Sequence, residues 1–531
     1  MLVRARMRTT ALIACCALIA GCSATPDDGD PEDSIAVDDG KADDFYSASA
    51  LEYTMTGRSS VTFATQPSMT EVEKLISEKQ IAIAWFLTQY LVDKEDDDAN
   101  KSFGGYGGMA KGGMWEDLDV QTTDGLTYSF NFKQLVAGGK TLMSKLPLRT
   151  QGTQQVFDLE IGKPTNDQLG QLTTNEEWYR QAPFDAWDPS NVPADQKETM
   201  TFAIGKEKAS SDAFFDIARL TADGVLDVDM FFGWDYHDNF HIKHSQDMFT
   251  WLVDQGFKAP VSDWDHLTKD TGPFTKKMNA NGKTITVEVR LYFGKPGTDT
   301  DPDTDAGGKV LEGIARNSLK TRDVVVYSGH SGPFYGFALA NWNKTYEGDL
   351  DDSEMRTIPL ASKYQIVVAE ACDTYQIGEA FLENPAKAGK NIDVITTTSF
   401  SNAATPATAE DFMTSLLSHD SLGRLRGQTA LSLLTKLDSN AYEYGFHTMY
   451  GLHGIDNDPK LHPFANVDAI GTTCSKNADC GGPGNLCVTM GTSGKRCTAA
   501  CTADEACPTD YRCKSVASSS TSTIFGKACA K

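Results

Sequence analysis

From about residue 206 onward the sequence alternates short apolar runs with amphipathic stretches, and that rhythm constrains the fold more than any other feature. The runs "VLDVDMFFG", "KTITVEVRLYFG", "RDVVVYSGH", "YQIVVAEAC" and "NIDVITTTSF" have strand length and are rich in β-branched residues. Between them, "SQDMFTWLVDQGF", "GGKVLEGIARNSL" and "YQIGEAFLENP" place apolar residues at helical spacing. "AEDFMTSLLSHDSLGRLRGQTALSLLTKLDSN" supplies one or two further helices, and "DAFFDIARL" reads as a strand paired with the first run. The alternation predicts an α/β fold over 206–465, a mainly parallel sheet with helices on both faces. Chemistry in such sheets gathers beyond the carboxyl ends of the strands. His330 and Cys372 each follow an apolar run directly and so stand in that position.

Residues 46–205 mix element types and predict an α+β domain. "MTEVEKLISEKQIAIAWFLTQYLVD" has helical periodicity, with Thr70 and Glu73 spaced as a capping box. "GLTYSFNFKQLV" and "QQVFDLEIG" alternate as strands do, and "SFGGYGGMAKGGMW" is a glycine loop without the Lys-Ser/Thr ending of a phosphate-binding loop.

The first 21 residues read as a signal peptide: Arg4, Arg6 and Arg8 precede the apolar "ALIACCALIA". The ending "IAGC" resembles a bacterial lipobox, which implies lipidation of Cys22 and, with Ser23 next, an outer-membrane address in the cell envelope with possible surface exposure left open. Residues 22–45 carry nine acidic residues against one lysine and predict a disordered tether. The formal charge of −25 argues against nucleic acid and anionic lipid as partners, so the membrane is engaged only through the lipid anchor.

Exported chains oxidise their thiols. Cys474, Cys480, Cys487, Cys497, Cys501, Cys507, Cys513 and Cys529 crowd the segment 470–531 in two halves, C-x5-C-x6-C-x9-C and C-x5-C-x5-C-x15-C. Duplication and an even count predict a small disulfide module of two similar units rather than zinc sites, since no C-x-x-C occurs. The module is a candidate for binding a surface or an extracellular ligand. Cys372 is left over, as a nucleophile or as an inert buried thiol.

"VVVYSGHSG" followed by "IVVAEACDT" resembles the caspase–legumain–gingipain group of cysteine peptidases, clan CD. Glu370-Ala371-Cys372 is similar to the legumain version, and "YSGH" to metacaspases. The resemblance implies a caspase-hemoglobinase-like sheet and an endopeptidase acting on peptide or protein substrates. Cys372 would be the nucleophile and His330 the acid–base. The oxyanion would be held by backbone N–H groups among Ser331, Gly332 and Cys372, and Thr398, Ser399 and Phe400 would wall the specificity pocket. One departure is that Ser331 separates His330 from Gly332, where the family glycine usually follows histidine directly. No cofactor is required. Metacaspases often need calcium, and the carboxylate clusters at 299–308 and 347–354 offer oxygen ligands of the type calcium takes.

Three other readings compete. Gly329-His330-Ser331-Gly332 resembles the nucleophile elbow of α/β-hydrolases, with Ser331 as nucleophile and Asp393 with His447 or His453 as partners, although Pro333 stands where that elbow needs glycine. "HDNFHIKH" offers His237 and His241 at metal-binding spacing, with Asp238 in place of the usual glutamate. A non-catalytic surface adhesin would use the cysteine-rich tail and keep the dyad as a relic. The anchoring reading has a direct test: Cys22→Ser should move the protein out of the membrane fraction without changing its fold, and retention of the mutant in the membrane would defeat it.

Overall fold

The structure, a computed structural model, describes residues 3–4, 45–95, 106–107, 119–171, 177–208, 210, 212–280, 283–331, 336–387, 390–398, 401–402, 408–419, 421, 423–443, 448–455, 457, 460, 463, 470–480, 485–490, 494–499, 512–517 and 524–530. Cys22 and most of the tether, Gly332, Ser399, Phe400, Cys501 and Cys507 lie outside the described residues. No helix among the described residues is long and apolar enough to cross a membrane.

The chain is a mixed α/β protein with a large mixed sheet. That sheet is built from β1 (Val225–Phe232), β2 (Phe274–Ala280), β3 (Lys283–Phe293), β4 (Val324–Ser328), β5 (Gln365–Glu370), β6 (Ile392–Thr397) and β7 (Tyr450–His453). Its helices are α1 (Phe240–Asp254), α2 (Asp305–Thr321), α3 (Tyr375–Glu383), α4 (Thr408–Leu416) and α5 (Ala430–Glu443). The order is β2-β3-β1-β4-β5-β6-β7, closed at the far edge by Tyr46–Ser47. The five strands β3, β1, β4, β5 and β6 run parallel, while β2, β7 and Tyr46–Ser47 pair antiparallel.

Alternation along each strand divides the apolar residues between two cores. Val324, Val326, Ile366 and Val368 face one core, with Met248 and Leu252 of α1, Phe412 of α4 and Leu433 of α5. Val325, Tyr327, Val367 and Ala369 face the other, with Leu311 and Leu319 of α2 and Phe381 of α3. Each large apolar side chain fully withdrawn from water contributes about 1.5–3 kcal/mol. Two covered faces explain why these strands read as continuous apolar runs. From β1 the chain goes to β3 on one side, with α1 between them on the first face. It then returns past β1 to β4, with α2 on the opposite face. The sheet therefore reverses direction between β1 and β4, and a crevice opens beyond their carboxyl ends at such a point.

Residues 46–206 supply a second, antiparallel sheet, in the order Gln121–Thr122, Thr127–Gly139, Ala50–Thr62, Lys197–Lys206, Gln154–Gly162 and Arg149–Gln151, with Tyr106–Gly107 on Thr127–Gly139 and Val3–Arg4 added from outside the span on Gln121–Thr122. The helix Met69–Glu95 packs on it around Phe86, Phe157, Trp178 and Phe202. Tyr46–Ser47, at the start of this span, belong instead to the large sheet, pairing with Gly451 and Leu452. The capping box of the long helix sits two residues earlier than expected. Glu71 N–H donates to Ser68 Oγ (3.3 Å) and Ser68 N–H to Glu71 Oε2 (2.7 Å). "DAFFDIARL" is not a strand: Asp216 accepts from Arg219 N–H (3.0 Å) and caps the single helical turn Ile217–Leu220.

In the cysteine-rich tail, Cys474 bonds Cys487 and Cys480 bonds Cys497. The hairpin Asn485–Thr489/Lys495–Ala499 sets Cys487 opposite Cys497, and Arg512–Ala517/Ile524–Ala530 sets Cys513 opposite Cys529 in the same manner. Cys513 and Cys529 are also disulfide-bonded. Extending the first unit's pairing to the second, non-reducing peptide mapping should return Cys501–Cys513 and Cys507–Cys529 with no bridge to Cys372. A Cys513–Cys529 peptide would break the repeat.

Candidate active site

Ser328 and Glu370 are the last paired residues of β4 and β5. His330 and Cys372 each stand two residues further along, so the two parallel strands deliver them side by side at one end of the sheet. Gly329 N–H donates to Glu370 O (3.1 Å) and extends the ladder by one step. Glycine is required there, because a Cβ at Gly329 would meet Gly233 Cα at 2.7 Å. His330 is pinned through its carbonyl, which accepts from Tyr327 Oη and from Ala338 N–H (3.1 Å).

Asp235, three residues past β1, orients the histidine. Its Oδ1 lies 2.7 Å from His330 Nε2 and 3.1 Å from His237 Nδ1. Its Oδ2 accepts from the N–H groups of His237 (3.1 Å), Asp238 (2.9 Å) and Phe240 (3.1 Å). Asp235 is 3% exposed, and burial alone would raise its carboxyl; the hydrogen bonds from His330 and from the Phe240 and Asp238 N–H groups instead hold it far below the usual carboxylate range. A permanently ionised acceptor on Nε2 fixes the proton there and leaves Nδ1 as the basic nitrogen of His330. Tyr236, 53% exposed, stacks on the imidazole at 4.6 Å and holds its plane. Trp342 stands edge-on to Tyr236, and Arg180 of the N-terminal body lies over Trp342 at 4.9 Å.

Cys372 is a free thiol, partly exposed but densely surrounded. Its Sγ donates to Ser401 O at 3.2 Å. Among the described residues no hydrogen bond joins it to His330. Desolvation pushes the thiol up to about 12, and the nearby Glu370 and Asp373 carboxyls add to this against the Ser401 contact. The thiolate–imidazolium pair that the dyad reading suggests is therefore not the resting arrangement. Glu370 accepts from Ser328 Oγ (2.6 Å) and from Ser401 Oγ, yet its burial raises its carboxyl too. Asp373 takes the left-handed φ of +54°, and among the described residues neither of its buried oxygens has a hydrogen-bond partner. The turn that carries the thiol is stitched to β6: Thr374 Oγ1 donates to Ala369 O (2.6 Å), and Thr397 N–H donates to Thr374 Oγ1 (2.8 Å).

Of the expected pocket wall, Thr398 is fully buried, with its N–H on Met449 O (2.8 Å), so it braces the loop from beneath. Within the same stretch it is Ser401 that reaches the thiol. Ser331 is buried, at 6% exposure. Of its expected hydrolase partners, His447 lies outside the described residues, and neither Asp393 nor His453 is brought to it. Asp393 pairs across the sheet at the level of Val324, four residues before the end of β4, which at about 3.3 Å per residue separates it from Ser331 by more than about 13 Å. Asp393 is bonded to Tyr364 Oη, and His453 is enclosed between Phe45 and Tyr375. His237 and His241 do not form the expected i, i+4 pair. The helix begins only at Phe240, and His241 Nδ1 accepts from Asp235 N–H (3.3 Å). The carboxylates at 299–305 are committed to other donors: Asp301 to Gly297 and Asp303 N–H, Asp303 to Asn341 and Lys344, and Asp305 to Tyr346 N–H. Among the described residues, no three of them converge as metal ligands would.

Asp235 was not anticipated, and neither was the contact of Ser401 with the thiol, although Ser401 lies within the stretch 396–402 expected to line one wall. The rule that singles out His330 and Cys372 applies equally to Asp235, which follows the run "VLDVDMFFG". Compared with protein families, with curated proteins and with solved structures, the chain matches none. The raised thiol sets the pH response. Iodoacetamide modification of Cys372 in the folded chain should keep rising with pH and show no inflection below about 10, whereas an ordinary thiol levels off above about 8.5. A plateau already reached by about pH 7 would mean an ionised pair.

Proposed function

We propose that the chain is an exported, membrane-anchored cysteine endopeptidase of the caspase–legumain–gingipain type, hydrolysing peptide bonds through Cys372 and His330. The observation that carries this reading is the common register of the two residues beyond Ser328 and Glu370, next to a histidine oriented by a buried carboxylate. The strand order on either side of β1 is consistent with a site at this end of the sheet.

The chemistry follows from the nitrogen left free. When a peptide enters, Nδ1 of His330 takes the Cys372 proton and the sulfur attacks the scissile carbonyl carbon. The positive imidazole is stabilised through Nε2–H by Asp235, which stays ionised. The carbonyl oxygen becomes an oxyanion facing backbone N–H groups, that of Cys372 among them. As the tetrahedral species collapses, His330 returns the proton to the departing amine and a thioester remains. Water, deprotonated by the same nitrogen, then releases the acid and restores the thiol. A resting thiol pushed up to about 12 makes this general-base activation at the moment of attack, not a standing thiolate.

That same raised thiol is the one observation favouring the alternative of a non-catalytic surface protein, so the experiment separates the two. Cys372→Ala should abolish peptide hydrolysis, Ser331→Ala should retain most of it, and Asp235→Asn should cost about 10²–10⁴-fold in kcat by destabilising the required tautomer. Full activity in Cys372→Ala would end the peptidase reading in this form. A wild-type chain inert toward peptides, with Cys372 unreactive to a peptidyl thiol probe, would leave the adhesin reading standing.

A further inference from the structure

Beyond the dyad, one cluster of side chains has the composition and spacing of a metal site. Asp235, His237 and His330 each offer a ligand atom within 4.8 Å of the other two, and Asp235 Oδ1 stands 2.7 Å from His330 Nε2 and 3.1 Å from His237 Nδ1. Two imidazoles and one carboxylate form a ligand set suited to zinc in three-ligand sites and to other divalent transition metals. We propose that Asp235, His237 and His330 bind a zinc ion, and that the bound ion disables His330.

The surroundings already hold the ligands as a metal would need them. Asp235 spends Oδ2 on three backbone N–H groups, so its carboxylate cannot rotate, and it presents Oδ1 alone to the two rings. The His330 ring is held in plane by Tyr236, and its backbone carbonyl is bonded from two sides. Such outer contacts are what orient metal ligands. Only His237 is free to adjust, since its side chain is 51% exposed, and that exposure also gives an ion its route in. Bonds of about 2.0–2.1 Å in a tetrahedron set ligand atoms roughly 3.3 Å apart. The two contacts to Oδ1, now 2.7 and 3.1 Å, need to widen only slightly.

In place of each N–H···O bond the ion would take the nitrogen lone pair, and the single proton of each neutral ring would shift to its other nitrogen, from Nε2 to Nδ1 on His330 and from Nδ1 to Nε2 on His237. A neutral imidazole coordinated through Nε2 carries its one proton on Nδ1. That is the nitrogen which must be bare to accept the thiol proton, so a zinc-bound His330 is the wrong tautomer for catalysis. The binding rests on the geometry of the three residues, and the effect on hydrolysis rests on the peptidase reading.

The test uses the full chain with its disulfides intact, titrated with Zn²⁺ by calorimetry and with Co²⁺ by visible absorption, as wild type, Cys372→Ala, His237→Ala and His237→Gln. Wild type and Cys372→Ala should each take up one ion with similar affinity, and Co²⁺ should give ligand-field bands without a sulfur charge-transfer band. Both His237 variants should bind at least about tenfold more weakly. His237 is half exposed and Asp235 keeps its Asp238, Phe240 and residue-237 backbone donors, so unfolding midpoints near wild type should accompany the loss. Binding that vanishes in Cys372→Ala, a sulfur charge-transfer band, or unchanged affinity in both His237 variants overturns the site. Zinc should also inhibit peptide hydrolysis, with the inhibition constant rising in His237→Ala by the same factor as the dissociation constant. Zinc-stimulated hydrolysis would overturn the inhibitory role. A chain that binds zinc as described but hydrolyses no peptide would sustain the site and defeat only the peptidase reading.

Discussion

The carboxylate of Asp235 ties together three pieces of chain that are distant in sequence. It lies just past β1, caps the start of α1 through Phe240 N–H, and holds the histidine that follows β4. One oxygen serves the backbone and the other serves the imidazoles. A buried ionised group survives only when its lone pairs are filled, and five donors fill these. The loop 233–240 therefore owes its shape to this residue, including the left-handed Asn239 at φ +56°. Removing the carboxylate would leave three backbone N–H groups and two rings without their acceptor, so structural and chemical roles cannot be separated by deletion. The isosteric amide probes the chemistry with the least disturbance.

Around the thiol the electrostatics run the opposite way. Glu370 and Asp373 flank Cys372 in sequence, both with raised carboxyls, and the sulfur rests on a carbonyl rather than on a cation. Burial and these two carboxyls outweigh the Ser401 contact, and the thiol is raised. Asp373 is especially costly: a buried carboxyl with no hydrogen-bond partner among the described residues, on a backbone conformation that non-glycine residues seldom adopt. Strain and unsatisfied polarity of this kind, here at the turn that carries the thiol, are what folds concentrate at functional sites.

The parallel core was legible because burial on both faces writes itself into sequence as unbroken apolar runs, and each run predicted between 225 and 397 became a strand. What escaped was written in weaker signals. β2 carries Lys276, Lys277 and Asn279, as an edge strand does, and its only marker is the Asn281-Gly282 dipeptide ahead of β3. β7 spans four residues, and its partner Tyr46–Ser47 lies some 400 residues away, a pairing no local pattern encodes. His330 and Cys372 could be found from strand ends. Their partners could not be found so easily, because Ser401 contributes a backbone carbonyl, which any residue carries, and Asp235 is one of 73 acidic residues until the topology brings it to His330.

That distant pairing also bears on how the two bodies of the chain depend on each other. Phe45 enters a buried cluster with Tyr375 and Ala137, and Ser47 Oγ donates to Tyr450 O (2.6 Å). Tyr375, the first residue of the helix that follows the thiol, donates to the buried Glu52 Oε1 at 2.5 Å, and Gln376 Nε2 donates to Leu135 O at 3.1 Å. The N-terminal sheet thus grips the segment that positions Cys372, through groups whose burial makes each lost partner cost about 1–3 kcal/mol. A cut between the bodies, in the stretch after Lys206, would sever one covalent link and leave this strand, cluster and pair of hydrogen bonds in place. Control of the site by discarding the N-terminal body would have to strip an edge strand from the sheet and take away the Glu52 carboxylate that accepts from Tyr375 Oη. A switch acting on His330 itself, at the rim of the crevice, would disturb none of these contacts.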